Sequence, residues 1–201
     1  MSNSENPSRR DFLNKMRGAA VATTAIGWLT TTQMSAALAY DIQANSESRD
    51  GKLLSKEQLR QLKAIAQTII PKTDTLGAGD VDCHGFIDHQ LVTCHSKEEQ
   101  QKAVSVLAFI DAASQSAQQR SFDLLEPQQQ QALLEAIEAN DGFTDAQKNA
   151  FVFLKQLVVF GYFTSQVGAS ESLNYIPVPG GYKPSVPVDE SYKNSGTLAY
   201  Y

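Results

Sequence analysis

The sequence predicts an all-α protein, a small bundle of about five helices over residues 55–168 with an extended, Pro/Tyr-rich tail over 169–201. Three observations predict it. Apolar residues recur at intervals of three and four through the middle of the chain, the spacing that lays one stripe along a helix. Ser55, Ser96 and Thr144 each stand three residues before a Gln or Glu, the spacing of a capping box at a helix start. Four of the seven prolines (Pro177, Pro179, Pro184 and Pro187) crowd the end of the chain, where they favour extended backbone.

The elements follow in order. Residues 1–39 read as a twin-arginine export signal, carried by Arg9, Arg10, Phe12 and Leu13 with Lys15 close behind. The segment from Gly18 to Ala39 that follows holds five threonines, Gly27 and Gln33, a poor match to a continuous span of roughly 20 apolar residues. Ala37-Leu38-Ala39 offers a small-x-small cleavage site, which leaves Tyr40 as the first mature residue; some signals of this kind are retained as anchors. Residues 40–54 are polar and are expected to be a linker.

Ser55 then caps a first helix, with Leu59, Leu62, Ile65, Ala66 and Ile69 on its buried stripe and Pro71 ending it. Pro71 to Asp80 is a loop of breakers and turn formers. A second helix runs from near Asp82 to Cys94, burying Phe86, Ile87 and Leu91. Ser96 opens a third, with Val104, Leu107 and Ile110 inward. Pro127 suits the first turn of a fourth, which buries Leu133, Leu134 and Ile137 and stops at Asn140-Asp141-Gly142. The fifth starts at Thr144 and is apolar nearly all round, from Phe151 through Phe153, Leu154, Leu157, Val158, Val159 and Phe160 to Phe163. Such a helix is either central to its bundle or covered by a partner. Beyond Gly168 the tail, with Tyr175, Tyr182, Tyr192, Tyr200 and Tyr201, either wraps its own bundle or lies against another surface.

Charge and composition narrow the function. The whole chain is formally −5, and the leader's four cations against two acids leave the rest two charges more negative still. That balance disfavours nucleic acid and anionic lipid surfaces, which select clustered Lys and Arg. No dinucleotide fingerprint, phosphate loop, HExxH or GxSxG occurs. Asp74, Asp80, Asp82 and Asp88 are scattered around one loop and suit helix capping better than acid–base work.

Cys83, His84, His89, Cys94 and His95 gather every cysteine and histidine of the chain, so metal chemistry has to be weighed. On a helix, His84 and His95 share a face while His89 points elsewhere. Eleven helical residues separate Cys83 from Cys94 by roughly 16 Å, against about 4.4–6.8 Å between bridged Cα atoms. Leu91 stands where a haem-attachment motif needs its first cysteine. Residues without special chemistry are the favoured reading, and a free-standing periplasmic metal or redox protein built on this cluster is the alternative. A small helical domain with no evident cofactor site has little use for an exporter of folded cargo. The cargo is then expected to be another chain.

Thr68-Ile69-Ile70-Pro71-Lys72-Thr73-Asp74-Thr75-Leu76-Gly77-Ala78, Phe160-Gly161-Tyr162-Phe163-Thr164-Ser165-Gln166-Val167-Gly168-Ala169 and Tyr175-Ile176-Pro177-Val178-Pro179-Gly180 together resemble the gluconate 2-dehydrogenase subunit 3 family, whose members also accompany fructose, sorbitol and glucose dehydrogenases. The likeness spans the mature chain and the leader. Leu76 departs from it where relatives often carry proline, and Lys183-Pro184-Ser185 where some carry a cysteine. The resemblance implies a non-catalytic small subunit in the periplasm, with no cofactor of its own. It implies a large FAD-dependent partner of the glucose–methanol–choline class that lacks an export signal. In many systems a membrane-bound cytochrome subunit carrying haem c takes the electrons. Pro71, Asp74, Gly77, Tyr162, Phe163, Tyr175 and Pro179 are then the expected partner-binding residues.

Overall fold

The computed structural model describes residues 40–43 and 45–173. The export residues Arg9, Arg10, Phe12 and Leu13, the cleavage site, and Tyr175, Pro179 and the rest of the chain from 174 lie outside the described residues. Five α-helices form the bundle: α1 (Lys56–Ile69), α2 (Cys83–Cys94), α3 (Lys97–Gln118), α4 (Pro127–Ala139) and α5 (Asp145–Phe163). No strand occurs among the described residues.

Helix starts obey local chemistry. Ser55, Ser96 and Thr144 each accept from the backbone N–H three residues on, and Gln58, Glu99 and Gln147 each bond back to the cap's own N–H. Each box satisfies two of the donors that a helix end leaves unpaired. The ends are equally local. α1 stops two residues before Pro71; α3 and α4 stop where Gln119 (φ 56°) and Asn140 (φ 61°) turn left-handed.

The core is aliphatic and aromatic. Leu62, Ile65, Ile87, Leu91, Leu107, Ile110, Phe122, Ile137, Phe151 and Leu154 are all fully or almost fully buried. Each such side chain contributes about 1.5–3 kcal/mol over its exposed state. Phe86, Val104 and Leu133, expected to be buried, are half-buried and pack against the core's edge. Like α1, α5 touches all four other helices. Where it crosses α2 the helices approach closely: a Cβ on Gly161 would stand 2.8 Å from Cys83 Sγ and 3.0 Å from the Phe86 ring.

Two expectations are corrected here. Residues 40–54 are not a slack linker, because residues 43–54 are held on the bundle. The buried Asp88 carboxylate accepts from the backbone N–H groups of Lys52 (2.6 Å), Leu53 (3.0 Å) and Leu54 (2.8 Å). Gly51 lets the chain pass, since a Cβ there would lie 2.5 Å from the carboxylate. Further along, Gln43 N–H donates to Asp82 (2.8 Å), and Lys52 Nζ donates to His89 Nδ1 (2.7 Å). Glu47, on a short 3₁₀ turn (Ser46–Ser48), receives Lys63 Nζ at 2.6 Å and His84 Nε2 at 3.2 Å. The stretch is thus held twice over, by its backbone N–H groups on Asp82 and Asp88 and by the side chains of Glu47 and Lys52.

The second correction concerns the chain after Gly168, which does not extend at once. Gly168–Ser172 forms a π-helical turn. Ala169 N–H reaches Ser165 O (2.9 Å), and no proline interrupts the chain before Pro177.

Candidate functional site

The loop between α1 and α2 is built inward from its own backbone. Ala78 N–H returns to Ile70 O (3.0 Å), Thr73 N–H to Thr75 O (3.0 Å), and Gly77 N–H to the Asp80 carboxylate (3.1 Å). Gln67 of α1 projects under it and accepts from Gly79 N–H at 2.8 Å. Gly77 is buried over that same side chain; a Cβ would meet Gln67 Nε2 at 2.6 Å and Lys72 N at 2.7 Å. The loop therefore presents Pro71, Lys72, Thr73, Asp74 and Leu76 to solvent while its glycines face inward.

Tyr162 ties this loop to the end of α5. Its ring is buried, 2 % exposed, edge-on to Phe163 at 5.2 Å between centroids. Its hydroxyl donates to Leu76 O (2.9 Å) and lies 3.3 Å from Thr75 Oγ1 and 3.1 Å from Ser172 Oγ. The two sequence motifs, some 90 residues apart, thus meet at one phenol.

Pro71, Asp74 and Phe163 are exposed and open to a partner. Gly77 and Tyr162 are buried, so their part is to shape the surface and not to touch what binds it. The expected partner-binding residues leave out Val152, Val159, Phe160 and Leu76, although Val159 and Phe160 stand in the apolar run of the fifth helix. Phe160 is 53 % exposed, and Val152, Val159, Phe163 and Leu76 lie between 37 % and 39 %. Positions 152, 159, 160 and 163 recur at helical spacing, so they share one face of α5. The signal was available: a helix apolar all round carries more apolar face than four neighbours cover.

The Cys/His group disperses. Cys83 Sγ sits against Val158 O at 3.4 Å, and burial pushes its thiol up to about 12. His84 faces Glu47 and Asp82, the latter at 3.5 Å, and burial lowers its pKa against the pull of both acids. His89 goes to Lys52, and His95 to Glu99 at 3.3 Å with its ring edge-on to Phe153. Cys94 is exposed, and both cysteines are free thiols. Among the described residues no three His, Cys, Asp or Glu side chains are grouped to hold a metal ion. Nor is any helix among them long and apolar enough to cross a membrane.

No curated protein and no solved structure matches the chain. A family model described as gluconate 2-dehydrogenase subunit 3 matches residues 56–180, from the first residue of α1 to beyond the π-helical turn. Both motifs joined by Tyr162 lie inside the match. The chain belongs to the gluconate 2-dehydrogenase subunit 3 family, accessory subunits of a dehydrogenase complex.

Proposed function

We propose that this chain is the non-catalytic small subunit that clasps a FAD-dependent oxidoreductase of the glucose–methanol–choline class and escorts it by the twin-arginine route into the periplasm. The flavin belongs to that partner, and a cytochrome subunit carrying haem c takes the electrons onward. One observation carries the docking part of this reading. The exposed apolar face of α5 (Val152, Val159, Phe160 and Phe163) ends where Tyr162 holds the Pro71–Gly79 loop. Val159, Phe160 and Phe163 cluster at this end of the helix, and clustered exposed apolar surface marks interaction sites in soluble proteins. A lasting subunit contact of more than about 2,000 Å² needs such a centre with a polar rim, and Lys72, Thr73 and Asp74 supply the rim. The leader residues Arg9 and Arg10 support the export part.

Co-expression with the flavoprotein tests both parts. Changing Phe160→Ser and Phe163→Ser together abolishes co-purification while circular dichroism shows that the variant alone keeps its helices; retention of the pair refutes the docking face. Changing Arg9→Lys and Arg10→Lys strands both chains in the cytoplasm. Normal export of the flavoprotein beside that variant removes the escort role.

A further inference from the structure

The Tyr162 hydroxyl is surrounded by three oxygens, and its chemistry fixes who gives and who takes. A phenol has one proton and two acceptor lone pairs. The proton goes to Leu76 O, a carbonyl that can only accept. Thr75 Oγ1 and Ser172 Oγ must then both donate to the phenol oxygen, which fills it completely. Thr75 and Leu76 belong to the loop after α1, Ser172 to the π-helical turn from which the remaining chain departs. The loop and the turn are thus bonded to each other through one atom of a third element. The same phenol is 2 % exposed, so water does not readily substitute for a lost partner.

We infer that Tyr162 is a latch that makes the 71–80 loop and the 168–172 turn one cooperative unit, so that loosening either loosens both. The geometry is that of a positioning residue: the phenol presents the exposed residues Pro71, Asp74 and Leu76 in a fixed frame and binds nothing itself. Its value to the dehydrogenase partner rests on the docking reading above; the coupling between loop and turn does not. An ordered loop meets its partner without the entropic cost of being immobilised on contact.

Amide hydrogen exchange on the full chain, without any partner, tests the latch. Tyr162→Phe keeps the ring and removes only the hydroxyl. It is expected to raise exchange about five- to tenfold at Ala78, bonded to Ile70 O, and at Ala169, bonded to Ser165 O. Core amides of α1 and α3 keep their protection. Ser172→Ala, whose hydroxyl bonds Tyr162 and not the loop, is expected to raise exchange at Ala78 as well, and to add nothing in the Tyr162→Phe background. The latch is overturned if Ser172→Ala leaves the loop unchanged, or if Tyr162→Phe alters neither site. A rise that extends equally through α1 and α3 also overturns it, since the hydroxyl would then serve general stability. Because no flavoprotein is present, none of these outcomes depends on whether the α5 face docks one.

Discussion

Two regions of this small bundle invert the usual rule of polar outside and apolar inside, and they do so in opposite senses. Around residues 43–54, ionisable groups are buried: Asp88, Asp82 and His84 are each 5 % exposed or less. At the carboxyl end of α5, apolar groups are exposed: Phe160 is more than half open to solvent. In the first region the Asp88 carboxylate is matched within the chain. Asp88 alone accepts three backbone N–H groups, so its charge is held by the fold it stabilises. The second has no such internal settlement among the described residues. The difference teaches where to look for function: a buried charge matched by donors is architecture, whereas uncovered hydrophobic area beside a braced loop is an invitation to another molecule.

Three experiments break or sharpen this contrast, in order of expected effect. Removing the acceptor should hurt most. Asp88→Ala orphans three backbone donors and is expected to cost about 3–5 kcal/mol in urea unfolding. A cost below about 1 kcal/mol would reduce the segment 43–54 to an ornament. Gly161→Ala probes the contact between α2 and α5, on the inner side of the exposed face. The added methyl meets Cys83 Sγ at 2.8 Å and should cost about 1–3 kcal/mol by overpacking. Wild-type thermal stability in that variant would show that the helices can part at no cost.

The smallest effect is a matter of pH. Burial raises the pKa of Glu47, but Lys63, its own backbone N–H and His84 outweigh burial and bring it down to about 2. A carboxylate with a depressed folded pKa adds stability above its unfolded value that disappears as pH falls through the folded one. The window here runs from about 4.5 down to about 2. Glu47→Gln should therefore flatten the acid limb of the stability–pH curve and leave its neutral limb displaced by a constant. An acid limb identical to wild type would exclude Glu47 from the clamp.

Much of this was legible in the chain itself. Every helix start marked by Ser55, Ser96 or Thr144 stands where its three-residue spacing put it, because capping is chemistry between near neighbours. The halt at Asn140 and Gly142 follows from backbone conformations those residues tolerate. The family resemblance, with its accessory role in a dehydrogenase complex, agrees with the match over residues 56–180. What escaped was long-range. Asp88 meets Lys52, Leu53 and Leu54 across 34–36 residues, and a carboxylate bound to backbone amides leaves no periodic trace in composition. The resemblance puts Tyr162 among the partner-binding residues, whereas its hydroxyl answers to Leu76, 86 residues away, a contact that no local spacing records. The uncovered face of α5 was half legible. Apolar residues on every side announced surplus hydrophobicity, but which face stayed bare depends on how the other four helices pack.

The hold on residues 43–54 also has a mechanical meaning. A pull applied to the chain at residue 43 meets a series of bonds to the bundle. It reaches Gln43 on Asp82 first, then Glu47 on Lys63 and His84, and then the three amides on Asp88. A pull at residue 43 is thus borne by side chains of the first two helices. The towline is spliced into the hull.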